Sequence, residues 1–161
     1  MEIKKLFGIE NKVAIVTGGS RGIGEMITSG FLANGVKVYI SARKAPALIE
    51  KAKELSDRYQ QECIPVPSDL STMEGIENFV GSISKKEEGI DFLINNAGAA
   101  WGEPFETFSE QGWDKVMDLN VKSMFFLTQK LKSHLLKRCT LDDPSRAVSY
   151  THLTLPTRLS V

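Results

Sequence analysis

The chain has 161 residues, which suits a single domain large enough to bury a sizeable core. Its 20 basic and 20 acidic residues balance, and this argues against a protein that binds nucleic acid or an anionic membrane surface. No apolar run approaches the roughly 18–20 residues of a membrane span or forms the core of a signal peptide, and two distant cysteines fit reduced thiols, so we expect a cytoplasmic protein.

Strands and helices alternate along the chain, as apolar runs and amphipathic stretches with turn residues at their ends indicate. The predicted strands cover 12–17, 36–41, 63–66 and 90–95, with a fifth beginning at 146–148, and the predicted helices cover 22–34, 46–60, 71–84 and 110–137. This order predicts an α/β fold, a doubly wound Rossmann-type parallel sheet with helices on both faces. Ligands of such sheets bind at the carboxyl ends of the strands, so the residues that follow strands are the candidates for chemistry.

Local signals refine two of these elements. Pro65 and Pro67 predict that the third strand lies at an edge of the sheet, because proline cannot donate to a neighbouring strand. The sequence Ser-Thr-Met-Glu at 71–74 predicts a capping box at the start of the third helix.

A glycine-rich turn, Thr-Gly-Gly-Ser-Arg-Gly-Ile-Gly over 17–24, joins the first strand to the first helix. The backbone N–H groups of such a turn and the positive end of the helix dipole form a phosphate site. A P-loop is excluded because Glu25 and Met26 stand where that loop needs Lys and Ser or Thr. The common dinucleotide fingerprint is also excluded, since it would need a third glycine at Ile27.

The pattern T-G-x-x-x-G-x-G fits another family, and the chain resembles the classical short-chain dehydrogenase/reductases over about residues 5–148. The second motif of that family, Asn-Asn-Ala-Gly, occupies 95–98 directly after the fourth strand. The resemblance implies a dinucleotide-binding domain whose usual sheet has seven strands, of which this chain supplies about four to five. The cofactor-binding residues that the motifs imply are Gly18, Ser20, Arg21, Gly22, Ile23, Gly24, Arg43, Asp69, Leu70, Asn96, Ala97 and Gly98.

The residues after the second strand indicate which dinucleotide binds. NAD-binding proteins place an acid there to accept the ribose hydroxyls, but no acid occurs from 35 to 49, and Arg43 and Lys44 occupy the region. Arg21 in the turn is a further cation within reach of the ribose. An arginine offers a 2′-phosphate a planar pair of donors, so we predict NADP(H) rather than NAD(H). The alternative is that Arg43 and Lys44 only form a solvated helix start.

Two side chains take more specific roles from the resemblance. Asp69 corresponds to an Asp that hydrogen-bonds the adenine, although it also fits a turn or cap before the third helix. Asn120, within Asp-Leu-Asn-Val at 118–121, corresponds to the active-site Asn that holds a water of the proton relay. An Asn inside a helix is otherwise unfavourable, and a helix kink is the alternative. His134 and His152 lack metal-ligand spacing, so no metal site is predicted.

The family's remaining catalytic groups, a Ser and a Tyr-x-x-x-Lys pair, have no counterpart in this sequence. None of Tyr39, Tyr59 and Tyr150 is followed by Lys at the fourth position. We therefore expect 1–147 to be the N-terminal part of one NADP-binding domain and 148–161 to be a non-native, adaptor-like tail, with a divergent terminus as the alternative. The chain as written is expected to be poorly soluble and inactive, because the fourth strand would be an unpaired sheet edge.

For the intact protein, the resemblance implies NADPH-dependent reduction of a ketone to a secondary alcohol. The Ser-Ala-Arg after the second strand and Trp101 with Gly102 after the second motif resemble rhamnolipid-type 3-oxoacyl reductases, which implies a 3-oxoacyl thioester substrate. The alternatives are a sugar or polyol dehydrogenase of the same family and a non-catalytic dinucleotide-binding protein. Trp101 and Trp113 could border the substrate pocket, but core packing is the expected role.

The helix over 110–137 carries more apolar surface than one sheet face can cover, which predicts a second packing partner. In the family this helix packs against its copy, so a homodimer or homotetramer is implied. An irregular core face is the alternative.

Overall fold

Residues 8–139 and 148–151 are described by the computed structural model of the chain. The strands are β1 (Val13–Thr17), β2 (Lys37–Ala42), β3 (Cys63–Pro67), β4 (Phe92–Asn95) and β5 (Val148–Thr151). The helices are α1 (Gly22–Ala33), α2 (Ala45–Tyr59), α3 (Met73–Ser84), α4 (Glu110–Met117) and α5 (Ser123–Leu136), with a 3₁₀ turn at Phe105–Thr107 and a π-helical turn at Asp118–Lys122. None of the described helices is long and apolar enough to cross a bilayer.

The five strands form one parallel sheet in the order β3-β2-β1-β4-β5. The chain leaves β1 toward β2 on one side and returns to β4 on the other, so the switch in winding direction lies between β1 and β4. Thr17 is level with Ser41, which aligns the carboxyl ends of β1 and β2. The predicted doubly wound parallel sheet and the edge position of the proline-containing strand β3 are both confirmed.

The two faces of the sheet are covered by different helices, because alternate residues of each buried strand point to opposite sides. On one face Ile15 and Leu93 pack with Phe79 of α3 and Leu127 of α5. On the other face Ala14, Val16 and Ile94 pack with Leu32 of α1 and with Leu48, Ala52 and Leu55 of α2. All five residues of β1 are buried, so the glycine turn follows directly on a buried central strand.

The predicted helix over 110–137 is interrupted. α4 ends at Met117, a π-helical turn spans Asp118–Lys122, and α5 continues from Ser123. A π turn inserts one extra residue into a helix without changing which residues are apolar, so the sequence pattern did not reveal it. The turn contains Asn120, so the helical hydrogen-bond pattern changes at the position where the sequence places an unfavourable Asn.

The predicted capping box is displaced by one residue. Thr72 rather than Ser71 caps α3, and its hydroxyl accepts a hydrogen bond from the Gly75 N–H at 3.0 Å. The backbone and hydroxyl of Ser71 instead donate to Asp69 Oδ1, at 3.1 and 2.7 Å. The Asp69 side chain thus competes successfully for Ser71 and moves the helix start by one position.

The segment 148–151, where a fifth strand was predicted to begin and a non-native tail was expected from 148, forms β5 and pairs with β4 from Phe92↔Val148 to Asn95↔Thr151. β4 is therefore not an edge strand, contrary to expectation. The backbone donors and acceptors of β4 can be satisfied by any extended segment, whatever side chains it carries. The predicted start of this strand at 146–147 and the rest of the expected tail lie outside the described residues.

Candidate functional site

The glycine turn places the start of α1 directly beside the end of β1. Gly18 and Gly22 have φ of +65° and +56°, a conformation that glycine adopts without strain. Gly24 is required for a different reason, because a Cβ at this position would overlap the Gly18 carbonyl oxygen and lie 2.6 Å from Asn96 Nδ2. The first turn of α1 can therefore approach the turn and the loop after β4 only if residue 24 has no side chain.

The first turn of α1 retains open backbone donors. Arg21 occupies the N-cap position, and no side chain among the residues described here caps the helix. The Glu25 N–H reaches the Arg21 carbonyl oxygen at 3.3 Å and is the first helical bond of α1, which leaves the N–H groups of residues 22–24 without a helical acceptor. Open donors at a helix N-terminus attract an anion, so the predicted phosphate site has the geometry that it requires. The turn residues predicted to bind cofactor all lie here: Gly18, Ser20, Arg21, Gly22, Ile23 and Gly24.

The Thr17 hydroxyl joins the glycine turn to the Asn-Asn-Ala-Gly loop. Its Oγ1 accepts the backbone N–H groups of Asn96 and Ala97, both at 2.9 Å, and donates to the Ile94 carbonyl at 3.3 Å. Asn96 Nδ2 returns a bond to the Thr17 carbonyl at 2.9 Å. The structure thus brings the two sequence motifs into direct contact. The sequence interpretation gave Thr17 no role, although its position as the last residue of a buried strand was a usable signal.

Replacing Thr17 with valine should destabilise the fold by about 2–3 kcal/mol, because two partly buried N–H groups lose their acceptor. Thr17→Ser keeps the hydroxyl and should cost less than about 1 kcal/mol. Urea unfolding followed by tryptophan fluorescence measures both variants. Equal stability of Thr17→Val and the unsubstituted chain would contradict this role.

Asn120 fastens the π-helical turn to the loop after β4. Its Oδ1 accepts the Ala99 N–H at 2.7 Å, and its Nδ2 donates to the Ala99 carbonyl at 2.9 Å. Gly98 lies against the same side chain, since a Cβ there would be 3.3 Å from Asn120 Oδ1. Both polar atoms of the Asn120 amide are therefore engaged in holding this loop, which explains an Asn in a helical position. Its role in a proton relay stays a prediction.

Cations follow the neighbouring strand β2. The Ser41 hydroxyl at its end accepts the Gly18 N–H at 3.4 Å, which links the end of β2 to the glycine turn. Arg43 lies two residues further on and is exposed, as is Arg21. Within 8–139 and 148–151, neither guanidinium forms an ion pair with a carboxylate. Two exposed cations without a carboxylate partner among the described residues thus lie on the segments that follow β1 and β2.

Asp69 and Leu70 follow the edge strand β3. The Asp69 carboxylate accepts from Ser71, and its carbonyl accepts the Thr72 N–H at 3.3 Å, so its alternative role in the turn before α3 is realised. Leu70 is 3% exposed and belongs to the core, which leaves only its backbone available to a ligand. The contact of Asp69 with adenine stays a prediction. The candidate residues thus lie at the carboxyl ends of four neighbouring strands. Asp69 follows β3, Arg43 follows β2, the glycine turn follows β1 and Asn96 follows β4.

The segment between β4 and α4 is ordered by contacts that the sequence interpretation missed. The Trp101 ring packs against Gly112, where a Cβ would overlap the indole, and Lys115 Nζ lies 4.3 Å from the ring centroid. Glu103 Oε2 accepts the Ser109 N–H at 2.6 Å. The pKa of Glu103 is lowered mainly by this backbone bond, and to a smaller extent by the nearby Trp101 indole and the Ser109 hydroxyl. The indole N–H is nevertheless buried without a well-formed hydrogen bond to any described residue.

The expectation of core packing is wrong for Trp113, whose side chain is 58% exposed on α4. Trp101 is partly buried, but it packs against α4 at the site rather than in either core cluster. Trp101 lies in the segment that follows the Asn-Asn-Ala-Gly loop, and Trp113 lies on α4.

Comparison with known proteins places this geometry in a family. The model of the short chain dehydrogenase family matches residues 12–140. A rhamnolipid-biosynthesis 3-oxoacyl-[acyl-carrier-protein] reductase of Pseudomonas aeruginosa is 38% identical over 143 residues, which cover 89% of this chain and 55% of that protein. The chain spans about half the length of the curated relatives it matches.

Solved structures agree with the sequence relatives. The NADP active-site complex of RhlG from Pseudomonas aeruginosa superposes with a TM-score of 0.82 at 39% identity, covering 89% of this chain and 55% of that one. The L-sorbose reductase of Gluconobacter frateurii, in complex with NADPH and L-sorbose, gives a TM-score of 0.77 at 31% identity, covering 81% and 50%. The match over 12–140, together with the two motifs in contact at the ends of β1 and β4, shows that the chain belongs to the short chain dehydrogenase family.

Proposed function

We propose that the protein binds NADP(H) along the carboxyl edge of the sheet. The observation that carries the proposal is the pair of exposed, unpaired cations Arg21 and Arg43 beside the open N–H groups of α1, in a region with no acid from 35 to 49. A 2′-phosphate carries nearly two negative charges, which such cations neutralise and a carboxylate would repel. The similar RhlG and L-sorbose reductase structures contain NADP and NADPH, which supports this choice.

The arrangement of the described residues suggests how each part of the cofactor is held. The pyrophosphate suits the glycine turn and the N-terminus of α1, where backbone donors are open. The 2′-phosphate suits Arg43 and Arg21, and the adenine suits the loop at Asp69. Asn96, whose side chain is tied to the Thr17 carbonyl, fixes the loop that would contact the nicotinamide end. When bound, the cofactor supplies a hydride for carbonyl reduction.

The reaction that we propose for the whole protein is reduction of a 3-oxoacyl thioester to the corresponding alcohol. It is supported by the 38% identity to the rhamnolipid-biosynthesis 3-oxoacyl reductase. The residues of this chain that serve it are those of the cofactor half, with Asn120 ordering the loop beside the site. No Tyr-x-x-x-Lys sequence occurs in the 161 residues, so we expect these residues alone to lack reductase activity.

The substrate assignment is tested with the full-length parent protein and acetoacetyl-coenzyme A, following NADPH consumption. We expect a higher kcat/KM for the thioester than for L-sorbose or gluconate. The reverse order would favour the sugar or polyol dehydrogenase instead. Cofactor binding without turnover of any of these substrates would favour the non-catalytic protein.

An apolar surface on α4, the π-helical turn and α5 supports a homo-oligomer of the intact protein. Trp113, Val121 and Phe125 are 58%, 43% and 59% exposed, so large apolar side chains remain uncovered in one copy. We expect the parent protein to elute as a dimer or tetramer in size-exclusion chromatography with light scattering. A monomer at all concentrations would contradict this assignment.

A further inference from the structure

Thr28 lies beneath the glycine turn on the inner face of α1. The residue is fully buried, and its Oγ1 lies 2.8 Å from the Gly24 carbonyl oxygen and 3.3 Å from the Gly19 carbonyl oxygen. The first contact is the common bond of a helical threonine to the residue four positions earlier. The second reaches nine residues back and leaves the helix. Because a hydroxyl has one proton, the two carbonyls share it.

Gly19 is held tightly between two side chains. A Cβ at this position would lie 2.5 Å from Ile40 Cγ2 and 2.9 Å from Thr28 Oγ1. Gly19 itself is buried, and its φ is not in the positive region. Residue 19 must therefore be glycine, because the turn lies too close to β2 and α1 at this position to hold a side chain. Ile40 limits movement of the Gly19 backbone by contact, whereas Thr28 also holds its carbonyl by a hydrogen bond.

The bond from Thr28 to the Gly19 carbonyl determines the orientation of the Ser20 N–H. The Gly19–Ser20 peptide is trans, so the Ser20 N–H points opposite to the Gly19 carbonyl. A carbonyl turned inward to Thr28 directs that N–H outward from the core, at the carboxyl end of β1. We propose that Thr28 is a positioning residue, whose hydroxyl aims the Ser20 N–H at the anion bound by the glycine turn. This inference deepens the proposed function and rests on it, with the pyrophosphate of NADP(H) as the anion.

A purely structural role for Thr28 makes different predictions. Thr128 on α5 offers a control for the helical bond, because its Oγ1 bonds the Met124 carbonyl at the same 2.8 Å. Its other contact is a 3.4 Å bond accepted from Asn95 Nδ2, at the start of the Asn-Asn-Ala-Gly loop and not in the glycine turn. If Thr28 acted only through its helical bond and its packing, Thr28→Val and Thr128→Val would have similar effects on the site. If it positions the Gly19–Ser20 peptide, only the variant at 28 changes the turn.

The test uses the 161-residue chain with Thr28→Val, Thr28→Ala, Thr28→Ser and Thr128→Val. NADPH affinity is measured by fluorescence titration, and the ¹⁵N order parameter of the Ser20 amide is measured without ligand. Thr28→Val and Thr28→Ala should raise the NADPH Kd about three- to tenfold, the effect of one hydrogen bond, and lower the Ser20 order parameter. Thr28→Ser should restore both values, and Thr128→Val should change neither.

The inference is overturned if Thr28→Ser matches Thr28→Ala, or if both Thr28→Val and Thr28→Ala bind NADPH like the unsubstituted chain. The alanine variant keeps the test decisive if the valine methyl, close to the Gly24 carbonyl, prevents folding. Absence of NADPH binding by the unsubstituted chain would refute the proposed function instead. In that case the Ser20 order parameter alone decides the positioning role, and an unchanged value in Thr28→Ala refutes it.

Discussion

A Gly24→Ala variant is expected to lose NADPH binding, with an increase in Kd of at least about 100-fold, or roughly 3 kcal/mol. The added Cβ would overlap the Gly18 carbonyl oxygen and lie 2.6 Å from Asn96 Nδ2. The Gly18 carbonyl belongs to the backbone of the turn, where φ is positive, and Asn96 Nδ2 is bonded to the Thr17 carbonyl. Neither group can therefore move away without a cost in free energy. The start of α1 must move instead, and its open N–H groups move with it.

Gly30→Ala in the same helix is the matched control. A Cβ at Gly30 meets nothing within 4 Å, and Gly30 is exposed in the middle of α1. Alanine there should stabilise the helix by up to about 1 kcal/mol and leave NADPH affinity unchanged. Fluorescence titration and urea unfolding of both variants separate binding from stability. Near-normal NADPH affinity in a folded Gly24→Ala chain would show that this close approach does not form the site.

An Arg43→Gln variant is expected to lose much of the preference for NADPH over NADH. The substitution keeps a polar side chain but removes the charge and the paired donors that suit a 2′-phosphate. A hydrogen bond to a charged group contributes about 1.5–3 kcal/mol, so NADPH should bind roughly 10- to 100-fold more weakly. NADH has no 2′-phosphate, and its affinity should change little. Titration of the same preparation with both cofactors gives the ratio directly.

Arg58→Gln on α2 is the control for a general loss of positive charge. Arg58 is also exposed, but it pairs with Glu54 at 2.7 Å near the opposite end of the helix. Its removal should leave the NADPH-to-NADH ratio unchanged. If the variant at Arg43 weakened both cofactors equally, Arg43 would contact a part common to both, and the assignment of the 2′-phosphate to it would be wrong.

The parallel sheet could be predicted because its strands are continuous apolar runs separated by amphipathic helices. The alignment of strand ends then brings 18–24 and 95–98 together without further information, as the bonds from Asn96 to Thr17 confirm. Pro65 also gave the correct edge position of β3. These features follow from local sequence patterns and from the general right-handedness of crossover connections, so a single sequence is enough to predict them.

Features that depend on competition between neighbouring groups could not be predicted. The π-helical turn at Asn120 leaves the helical pattern intact and reflects a bond to Ala99, which is distant in sequence. The cap moved to Thr72 because Asp69 captured Ser71. The bond from Thr28 to Gly19 required the packed positions of α1 and the turn. In each case the outcome depends on which nearby groups a side chain bonds in the packed structure, and the sequence pattern does not contain that information.

The proposed function depends on the preference of the carboxyl edge of this sheet for NADP(H) over NAD(H). Its most direct test is a fluorescence titration of the 161-residue chain with NADPH and with NADH under identical conditions. The open N–H groups of α1 and the cations Arg21 and Arg43 predict saturable binding of NADPH, at least about tenfold tighter than that of NADH. Equal affinity for the two cofactors, or no binding of NADPH by the folded chain, would contradict the account.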